Sequence, residues 1–137
     1  MNSSRISKVA VLGDGAWGTA LALTLHGNGR DVTIWGPFPE NIAAINANGE
    51  NKFLKGVKIP SGVKAESDIA KAISGAELIV LASTSQYMRN TLNILKPHID
   101  LEKQPLVNVA KGIELGSLDR MSQLCEDVLG KCHYASL

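Results

Sequence analysis

Three glycines follow directly on the first apolar run of the chain. In the stretch KVAVLGDGAWGTALAL, which begins at Lys8, they stand at Gly13, Gly15 and Gly18. Gly13 would permit a tight turn, Gly15 would let the backbone approach phosphate oxygens, and Gly18 would let a helix pack close to a strand. The spacing therefore predicts a strand, a turn and a helix whose free N–H groups bind a diphosphate.

Two other residues of this stretch bear on the prediction. Asp14 lies inside the loop, where a carboxylate would be unfavourable beside a diphosphate, so we assign it no role. We expect its side chain to face solvent or neighbouring backbone amides. Trp17 is interpreted as a packing residue whose backbone N–H can reach a phosphate.

The residue that follows the second strand usually distinguishes NAD from NADP in such a motif. A carboxylate there binds the ribose hydroxyls of NAD, and an arginine accommodates the extra phosphate of NADP. This chain has Gly36 and Pro37 at the position, so neither cofactor is favoured. Lys52, Lys55 and Lys58 could approach a 2′-phosphate, although a solvated basic loop is the commoner arrangement.

Lys111 and Tyr87 are the two further side chains that we expect at the same edge of the sheet. Lys111 follows the fifth strand in the sequence AKGIE and would project toward the crevice that receives the nicotinamide. Tyr87 stands one turn into the helix that follows the fourth strand. An ordinary surface lysine and a core tyrosine are the alternative interpretations, and the sequence leaves them open.

Strand and helix patterns alternate along the whole chain. The strand segments are apolar throughout, which is typical of a parallel sheet covered by helices on both faces. They are expected at 8–12, 31–35, near 63, at 77–83, at 104–110 and from 132 onward. The helices are expected at 16–25, 39–49, 68–76 with a cap at Ser67, 85–97 and 117–130. The predicted fold class is α/β, a doubly wound parallel sheet of the Rossmann type in three α/β/α layers.

The composition argues against several classes of function. The 137 residues form one domain by length, with 45% apolar and 20% charged residues, which is an ordinary globular balance. Fourteen basic residues face thirteen acidic ones, so no charge excess attracts nucleic acid or an anionic membrane. Aromatic residues make up only 4%, which disfavours a surface for stacking bases.

Metal binding and secretion are not expected either. Cys125 and Cys132 are the only cysteines, and we find no cysteine or histidine partner at ligand spacing. We interpret them as two reduced thiols of a cytoplasmic protein. The apolar run after the positively charged start is too short for a signal peptide, and no stretch could span a bilayer.

With these segments identified, the chain resembles the amino-terminal domain of NAD(P)-dependent glycerol-3-phosphate dehydrogenases. The segments that carry the resemblance are VLGDGAWGTALAL, HGNGRDVTIWG, FLKGVKIP, the Ser-Gln pair after the fourth strand and AKGIELG. The pairing of GxGxWGTALA with a distant AKGIE is far more specific than three glycines alone. Reductases of the 6-phosphogluconate type share the fold and only the first motif.

The resemblance implies roles for particular residues of this chain. One group would bind the diphosphate and comprises Gly13, Gly15, Ala16, Trp17 and Gly18. Pro37 would contact the adenosine ribose, and Tyr87 would contact the nicotinamide side of the cofactor. Lys111 would touch both cofactor and substrate. Pro37 stands where members of the family often have arginine, so the resemblance leaves NAD and NADP open.

The resemblance also implies a reaction and a missing part. The family transfers a hydride between NAD(P)H and dihydroxyacetone phosphate, which gives sn-glycerol 3-phosphate for glycerophospholipid synthesis. Its proton-transferring lysine and its phosphate-binding residues lie in a helical second domain, so we assign no catalytic residue here.

We therefore expect residues 1–137 to be the cofactor-binding domain of a longer cytoplasmic enzyme. The domain alone should be inactive, and a homodimer is possible for the full-length protein. Two alternatives stay open: a stand-alone NAD(P)-binding regulatory module, and a related reductase that acts on another small substrate.

Overall fold

The first apolar run forms the middle of the sheet because both of its faces can be covered by helices. In the computed structural model, which describes residues 5–137, this run is strand β1 (Lys8–Leu12). Val9 and Val11 enter one core, and Ala10 and Leu12 enter another. All four side chains are at most 1% exposed. A strand of this kind needs neighbours on both edges and helices on both faces.

Further strands and helices follow in the alternating order that the sequence predicts. The strands are β2 (Asp31–Trp35), β3 (Lys64–Glu66), β4 (Leu78–Leu81), β5 (Leu106–Asn108) and β6 (Tyr134–Ser136). The helices are α1 (Ala16–Gly27), α2 (Pro39–Asn48), α3 (Ile69–Ile73), α4 (Ser85–Leu95) and α5 (Met121–Leu129). The predicted α/β class is therefore confirmed.

The order of the strands creates a crevice in the middle of the sheet. All strand pairs are parallel, and the order across the sheet is β3-β2-β1-β4-β5-β6. The chain builds one half of the sheet outward from β1 through β2 and the other half through β4. The loops that follow β1 and β4 thus diverge, and the doubly wound sheet of the prediction is confirmed.

Helices cover both faces of the sheet and form two cores. The residues that α3, α4 and α5 contribute to the core around Leu12 include Ile73, Met88, Leu92 and Leu124. The residues that α1 and α2 contribute to the core around Val11 include Ala22, Ile42 and Ile45. Each fully buried aliphatic side chain stabilises such a core by about 1.5–3 kcal/mol. Two layers of helix on a central sheet give the three-layer architecture.

The start of α3 differs from the prediction. Ser67 is not its cap, because the side chain of Asp68 accepts hydrogen bonds from the N–H groups of Ala70 and Lys71 at 2.9 and 3.2 Å. Aspartate is at least as good a cap as serine, since its carboxylate also interacts with the positive end of the helix dipole. The prediction of a helix cap at Ser67 is therefore wrong by one residue.

The start of α5 also differs from the prediction. The helix begins at Met121 and not at residue 117. The preceding residues form a turn in which Leu118 has a φ of 61° and Ile113 bridges to Arg120. The segment that follows β5 is therefore an irregular loop, held against α4 by the contacts described below.

Among residues 5–137, no helix is both long enough and apolar enough to cross a bilayer. The expectation that the amino-terminal segment is not a signal peptide also concerns residues 1–4, which lie outside the described residues.

Candidate cofactor site at the first strand-to-helix turn

Gly13 and Gly18 are required because the first helix passes very close to the ends of two strands. Gly13 has a φ of 144°, and a Cβ there would lie 2.6 Å from the carbonyl carbon of Ala82. A Cβ on Gly18 would collide with the carbonyl oxygen of Gly13 and would lie 3.2 Å from the Cβ of Ala82. These approaches set the start of α1 directly over the carboxyl ends of β1 and β4.

Gly15 differs from its two neighbours because its missing side chain leaves open space. It is the N-cap of α1 with φ −69° and ψ 179°, and no other part of the chain lies within 4 Å of its Cβ position. No side chain caps the helix, and its first turn contains no acidic residue. Within residues 5–137 the N–H groups of residues 15–18 have no acceptor. The turn therefore offers an anion several free donors and a positive helix end.

Two grooves meet at this turn. The first, which we call the β2 groove, has a volume of about 410 Å³ and lies between the glycine loop, the end of β2 and α4. The second, the β5 groove, has a volume of about 450 Å³ and lies between Trp17 and the segment that follows β5. Ala82, Ser83 and Thr84 line both grooves. The start of α1 borders both grooves, with Gly15 in the lining of the first and Trp17 in the lining of the second, which is the arrangement that a two-part ligand requires.

The β2 groove is mainly apolar. Its walls include Pro37, Phe38, Phe53 and Tyr87. The three aromatic residues leave 48%, 43% and 70% of their surface exposed, so their rings are accessible to a ligand. Exposed rings around a groove suit a flat aromatic group such as adenine.

Pro37 and Tyr87 line the same groove, which bears on the roles that the sequence assigns to them. Pro37 borders the groove at the end of β2, where the sequence places the adenosine ribose. Tyr87 is highly exposed, so the alternative of a core tyrosine is wrong. Tyr87 lines the β2 groove and not the β5 groove, and the nicotinamide contact that the resemblance implies for it stays a prediction.

The β5 groove places Lys111 opposite Trp17. Trp17 is 58% exposed, so its interpretation as a packing residue is wrong. Lys111 is exposed, and its ammonium group forms no ion pair within residues 5–137. An unpaired cation beside a largely apolar groove is suited to stabilise negative charge on a bound molecule.

Asn108 positions the backbone that leads to Lys111. This buried residue ends β5, and its side-chain amide donates to the carbonyl oxygen of Ala110 and accepts from the Ala110 N–H, both at 3.0 Å. Gly112 follows with a φ of 107°, and a Cβ there would lie 3.2 Å from Oγ of Ser85. Asn108 could not be predicted from the sequence, because a lone buried amide has no distinctive spacing.

Arg89 of α4 anchors the rest of this loop. Its guanidinium donates two hydrogen bonds to Glu114, at 2.8 and 2.9 Å, and one to Asp127 at 2.7 Å. The hydrogen bonds from Arg89, and a further one from Ser117, lower the pKa of Glu114 to about 2. Hydrogen bonding to Glu114 and Asp127 raises the pKa of Arg89. The acid of the AKGIE motif therefore fixes the loop and is not a ligand-facing group.

Asp14 is buried, so the expectation that it faces solvent is wrong. The residue is 5% exposed, and Nδ2 of Asn41 donates to its Oδ2 at 2.7 Å. Nδ2 of Asn51 donates to the main-chain oxygen of Asp14 and to Oγ1 of Thr19, both at 2.8 Å. The only signal in the sequence was Gly36, where a Cβ would collide with the Asp14 carboxyl group. This network joins the glycine loop to α2 and to the segment after it.

Metal ligands and reactive thiols are not part of this arrangement. Within residues 5–137 no three His, Cys, Asp or Glu side chains come together as a metal site would require. Cys125 and Cys132 are free thiols. Burial raises the pKa of Cys125 to about 12, and it raises the pKa of Cys132 as well. Neither cysteine lines the β2 groove or the β5 groove.

Comparison with known proteins agrees with this arrangement. A family model described as the N-terminus of NAD-dependent glycerol-3-phosphate dehydrogenase matches residues 8–137. A glycerol-3-phosphate dehydrogenase (NAD(P)+) of Syntrophomonas wolfei is 41% identical over 125 residues, which are 90% of this chain and 36% of the relative. The enzyme of the same name from Rhodospirillum rubrum is 43% identical over 133 residues, 96% of this chain and 38% of the relative.

A solved structure shows the same fold. The crystal structure of glycerol-3-phosphate dehydrogenase from Coxiella burnetii has a TM-score of 0.88 and 29% identity to this chain, and covers 96% of it. The match extends over 40% of that protein, and the chain spans little more than a third of the curated relatives it matches. The family model matches almost every residue, glycine loop and Lys111 included, and on that ground the chain belongs to the family of NAD-dependent glycerol-3-phosphate dehydrogenase N-terminal domains.

Proposed function

We propose that this chain binds NAD or NADP and forms the cofactor-binding domain of a glycerol-3-phosphate dehydrogenase. The observation that carries the proposal is the set of unpaired amides at residues 15–18, which open between two grooves at the centre of the sheet. A diphosphate needs such donors, and it also needs a residue without a side chain where the backbone approaches the phosphates. Gly15 meets the second requirement, because the space at its Cβ position is open.

The grooves on either side of the amides fit the two halves of a dinucleotide. In this assignment the diphosphate is held by the free backbone N–H groups of Gly15, Ala16, Trp17 and Gly18. Gly13 shapes the turn and does not donate to the diphosphate, because its N–H already donates to the carbonyl oxygen of Trp35 at 2.9 Å. The adenine lies in the β2 groove, enclosed by Phe38, Phe53, Tyr87 and Pro37. In this assignment Tyr87 contacts the adenosine half of the cofactor. The nicotinamide lies in the β5 groove between Trp17 and Lys111.

The full-length enzyme would interconvert dihydroxyacetone phosphate and sn-glycerol 3-phosphate. The bound cofactor supplies or accepts a hydride at the carbon of the substrate. Lys111 would stabilise the negative charge that develops on the neighbouring substrate oxygen, and its position is fixed by Asn108. The resemblance assigns the proton transfer to a lysine of a second domain, so residues 1–137 would orient both reactants without completing the reaction.

A second domain would also account for apolar residues that remain exposed around the loop after β5. Ile113, Leu115 and Leu118 are 43%, 72% and 66% exposed, and Leu137 is 85% exposed. Exposed aliphatic residues of this kind favour a domain of a larger enzyme over a stand-alone regulatory module. A homodimer of the full-length protein and a cytoplasmic location are part of the same proposal and follow from the resemblance.

Calorimetric titration of the chain with NADH and NADPH tests the proposal. We expect saturable binding of one equivalent of at least one of the two. Lys111→Ala should weaken that binding less than about tenfold, because the amides of α1 supply most of the interaction. Lys131→Ala, an exposed lysine outside both grooves, is the matched control and should bind like the wild type. Failure of both cofactors to bind would overturn the proposal.

A further inference from the structure

In this chain, the position at which a dinucleotide-binding domain usually binds the adenosine ribose has no hydrogen-bonding side chain. The residue after β2 commonly carries an acid that accepts hydrogen bonds from the ribose hydroxyls of NAD. Here it is Gly36, followed by Pro37. Neither residue can accept such a bond through a side chain, so another group has to interact with the ribose if the cofactor is to be discriminated.

The carboxylate of Asp14 occupies the space that a side chain at position 36 would enter. A Cβ on Gly36 would lie 2.8 Å from the Cβ of Asp14 and would collide with its carboxyl carbon and Oδ2. Gly36 itself is buried and directly follows β2. The chain therefore delivers an acid from the glycine loop to the end of β2, where other domains of this fold place one on the strand.

One oxygen of that carboxylate is fixed and the other is available. Asn41 donates to Oδ2, whereas Oδ1 accepts no hydrogen bond within residues 5–137. Oδ1 is not sealed in the core, because every fully buried side-chain polar atom in the described part has a partner. Asp14 also lines the β2 groove. A carboxylate that is held by Asn41, lines the groove and keeps one oxygen unpaired is preorganised to accept a hydrogen bond from a hydroxyl.

The charges around the β2 groove favour a ligand without a 2′-phosphate. Asp14 is the only carboxylate lining the groove, and no lysine, arginine or histidine lines it, in the described part of the chain. Lys52 lies outside the lining, and its Nζ is 5.7 Å from the ring centre of Phe38 and 5.1 Å from that of Phe53. Lys52 is exposed, so water and salt screen it, whereas Asp14 is buried and acts through a lower dielectric.

We propose that Asp14 is the specificity-determining residue of the cofactor site: its free carboxylate oxygen accepts a hydrogen bond from an adenosine ribose hydroxyl and repels a 2′-phosphate, so that the chain selects NAD(H) over NADP(H). This inference rests on the proposed function and adds to it the choice between the two cofactors. The proposal also explains why an acid is tolerated beside a diphosphate site, because the Asp14 side chain lies at the end of β2 and away from the free amides of α1.

Separate titrations of the chain with NADH and NADPH test the inference, for the wild type and for Asp14→Asn. Asparagine has the same shape and can still accept from Asn41, while its amide would donate toward the groove. We expect the wild type to bind NADH at least about tenfold more tightly than NADPH, and Asp14→Asn to reduce that ratio at least about tenfold. Asp31→Asn removes the same charge at the opposite end of β2 and should leave the ratio unchanged.

The outcomes separate this inference from the proposed function. If both cofactors bind and Asp14→Asn leaves their ratio unchanged, Asp14 does not select the cofactor, although the domain still binds a dinucleotide. If the wild type binds NADPH as tightly as NADH, the inference is overturned without any variant, which covers the case of a misfolded Asp14→Asn. If neither cofactor binds, the proposed function fails and the inference fails with it.

Discussion

Gly15 and Gly18 are both glycines of the loop, but for different physical reasons that two substitutions separate. We predict that Gly15→Val abolishes dinucleotide binding, a loss of at least about 100-fold, because the branched side chain would fill the space above the free amides. The fold should survive, because the Cβ position of Gly15 is open and its φ of −69° is accessible to valine. The stability cost should be about 1 kcal/mol or less, the cost of a poor helix cap.

Gly18→Ala is the matched opposite. Its Cβ would collide with the carbonyl oxygen of Gly13, so we expect the free energy of unfolding to fall by about 1–3 kcal/mol. Urea unfolding and NADH titration of both variants measure the two effects. A loss of stability in Gly15→Val as large as that in Gly18→Ala, or unchanged NADH affinity in Gly15→Val, would contradict the assignment of the open space above Gly15 to a ligand.

The two thiols should differ in reactivity, although neither contacts the site. Burial raises the pKa of Cys125 to about 12, so almost none of it is thiolate at neutral pH. We predict that Cys125 does not react with an aromatic disulfide reagent in the native state and reacts fully in denaturant. The Cys132→Ser variant, which leaves Cys125 as the only cysteine, allows the measurement. Rapid native-state modification of that variant would show that the α5 face opens readily.

At the scale of elements, the strands and most helices could be predicted because their signals are local. The continuous apolar run of β1 and the glycine that ends α2 are both signals carried by a few adjacent residues. The start of α5 could not be predicted in this way, because Ser117 and Asp119 favour a helix cap by type. In the structure these residues support the turn that presents Glu114 to Arg89 of a different helix.

The ion pair between Arg89 and Glu114 connects that loop to α4, and it gives a prediction about pH. The pKa of Glu114 falls from 4.5 to about 2 in the folded chain, mainly through its hydrogen bonds from Arg89. A folded-state pKa below the unfolded one contributes stability above the unfolded value, and that contribution is lost as pH falls through the folded value. Glu114 should therefore stabilise the fold fully near neutral pH and progressively less between about pH 4.5 and pH 2.

Comparison of the wild type with Glu114→Gln measures this contribution. The urea midpoint of the wild type should exceed that of the variant near neutral pH, and the difference should shrink as the solution is acidified. Both groups are accessible to solvent, so added salt should also reduce the difference. A difference between the two midpoints that stays constant from neutral pH down to pH 2 would show that the carboxylate charge of Glu114 is not what holds the loop.

At the scale of the whole molecule, the strand order decides where a ligand can lie. Because β1 has β2 on one side and β4 on the other, the loop after β4 divides the crevice into the β2 groove and the β5 groove. The sequence predicts the crevice from its alternating elements. It could not place Tyr87, since the groove that this ring enters depends on how α4 is rotated against β4. Asp14 was misjudged for a similar reason, because its partner Asn41 comes from another helix.

The same architecture predicts that the chain binds cofactor without turning over substrate. In the described part of the chain, the grooves supply amides for a diphosphate and one cation, Lys111. Lys111 and Trp17, which line the β5 groove, are both exposed to solvent. The apolar residues Leu115 and Leu118 beside the loop of Lys111 remain exposed. Water is therefore not excluded from the proposed nicotinamide position in the β5 groove, and the resemblance provides no proton-transferring group on this chain. We expect no reduction of NAD or NADP by sn-glycerol 3-phosphate above the uncatalysed rate, measured by NADH or NADPH absorbance. The longer protein of the proposed function, with its second domain, should be active when assayed in parallel and should lose most of its kcat in Lys111→Ala. Turnover by residues 1–137 alone that Lys111→Ala abolishes would show instead that this domain carries a complete catalytic centre.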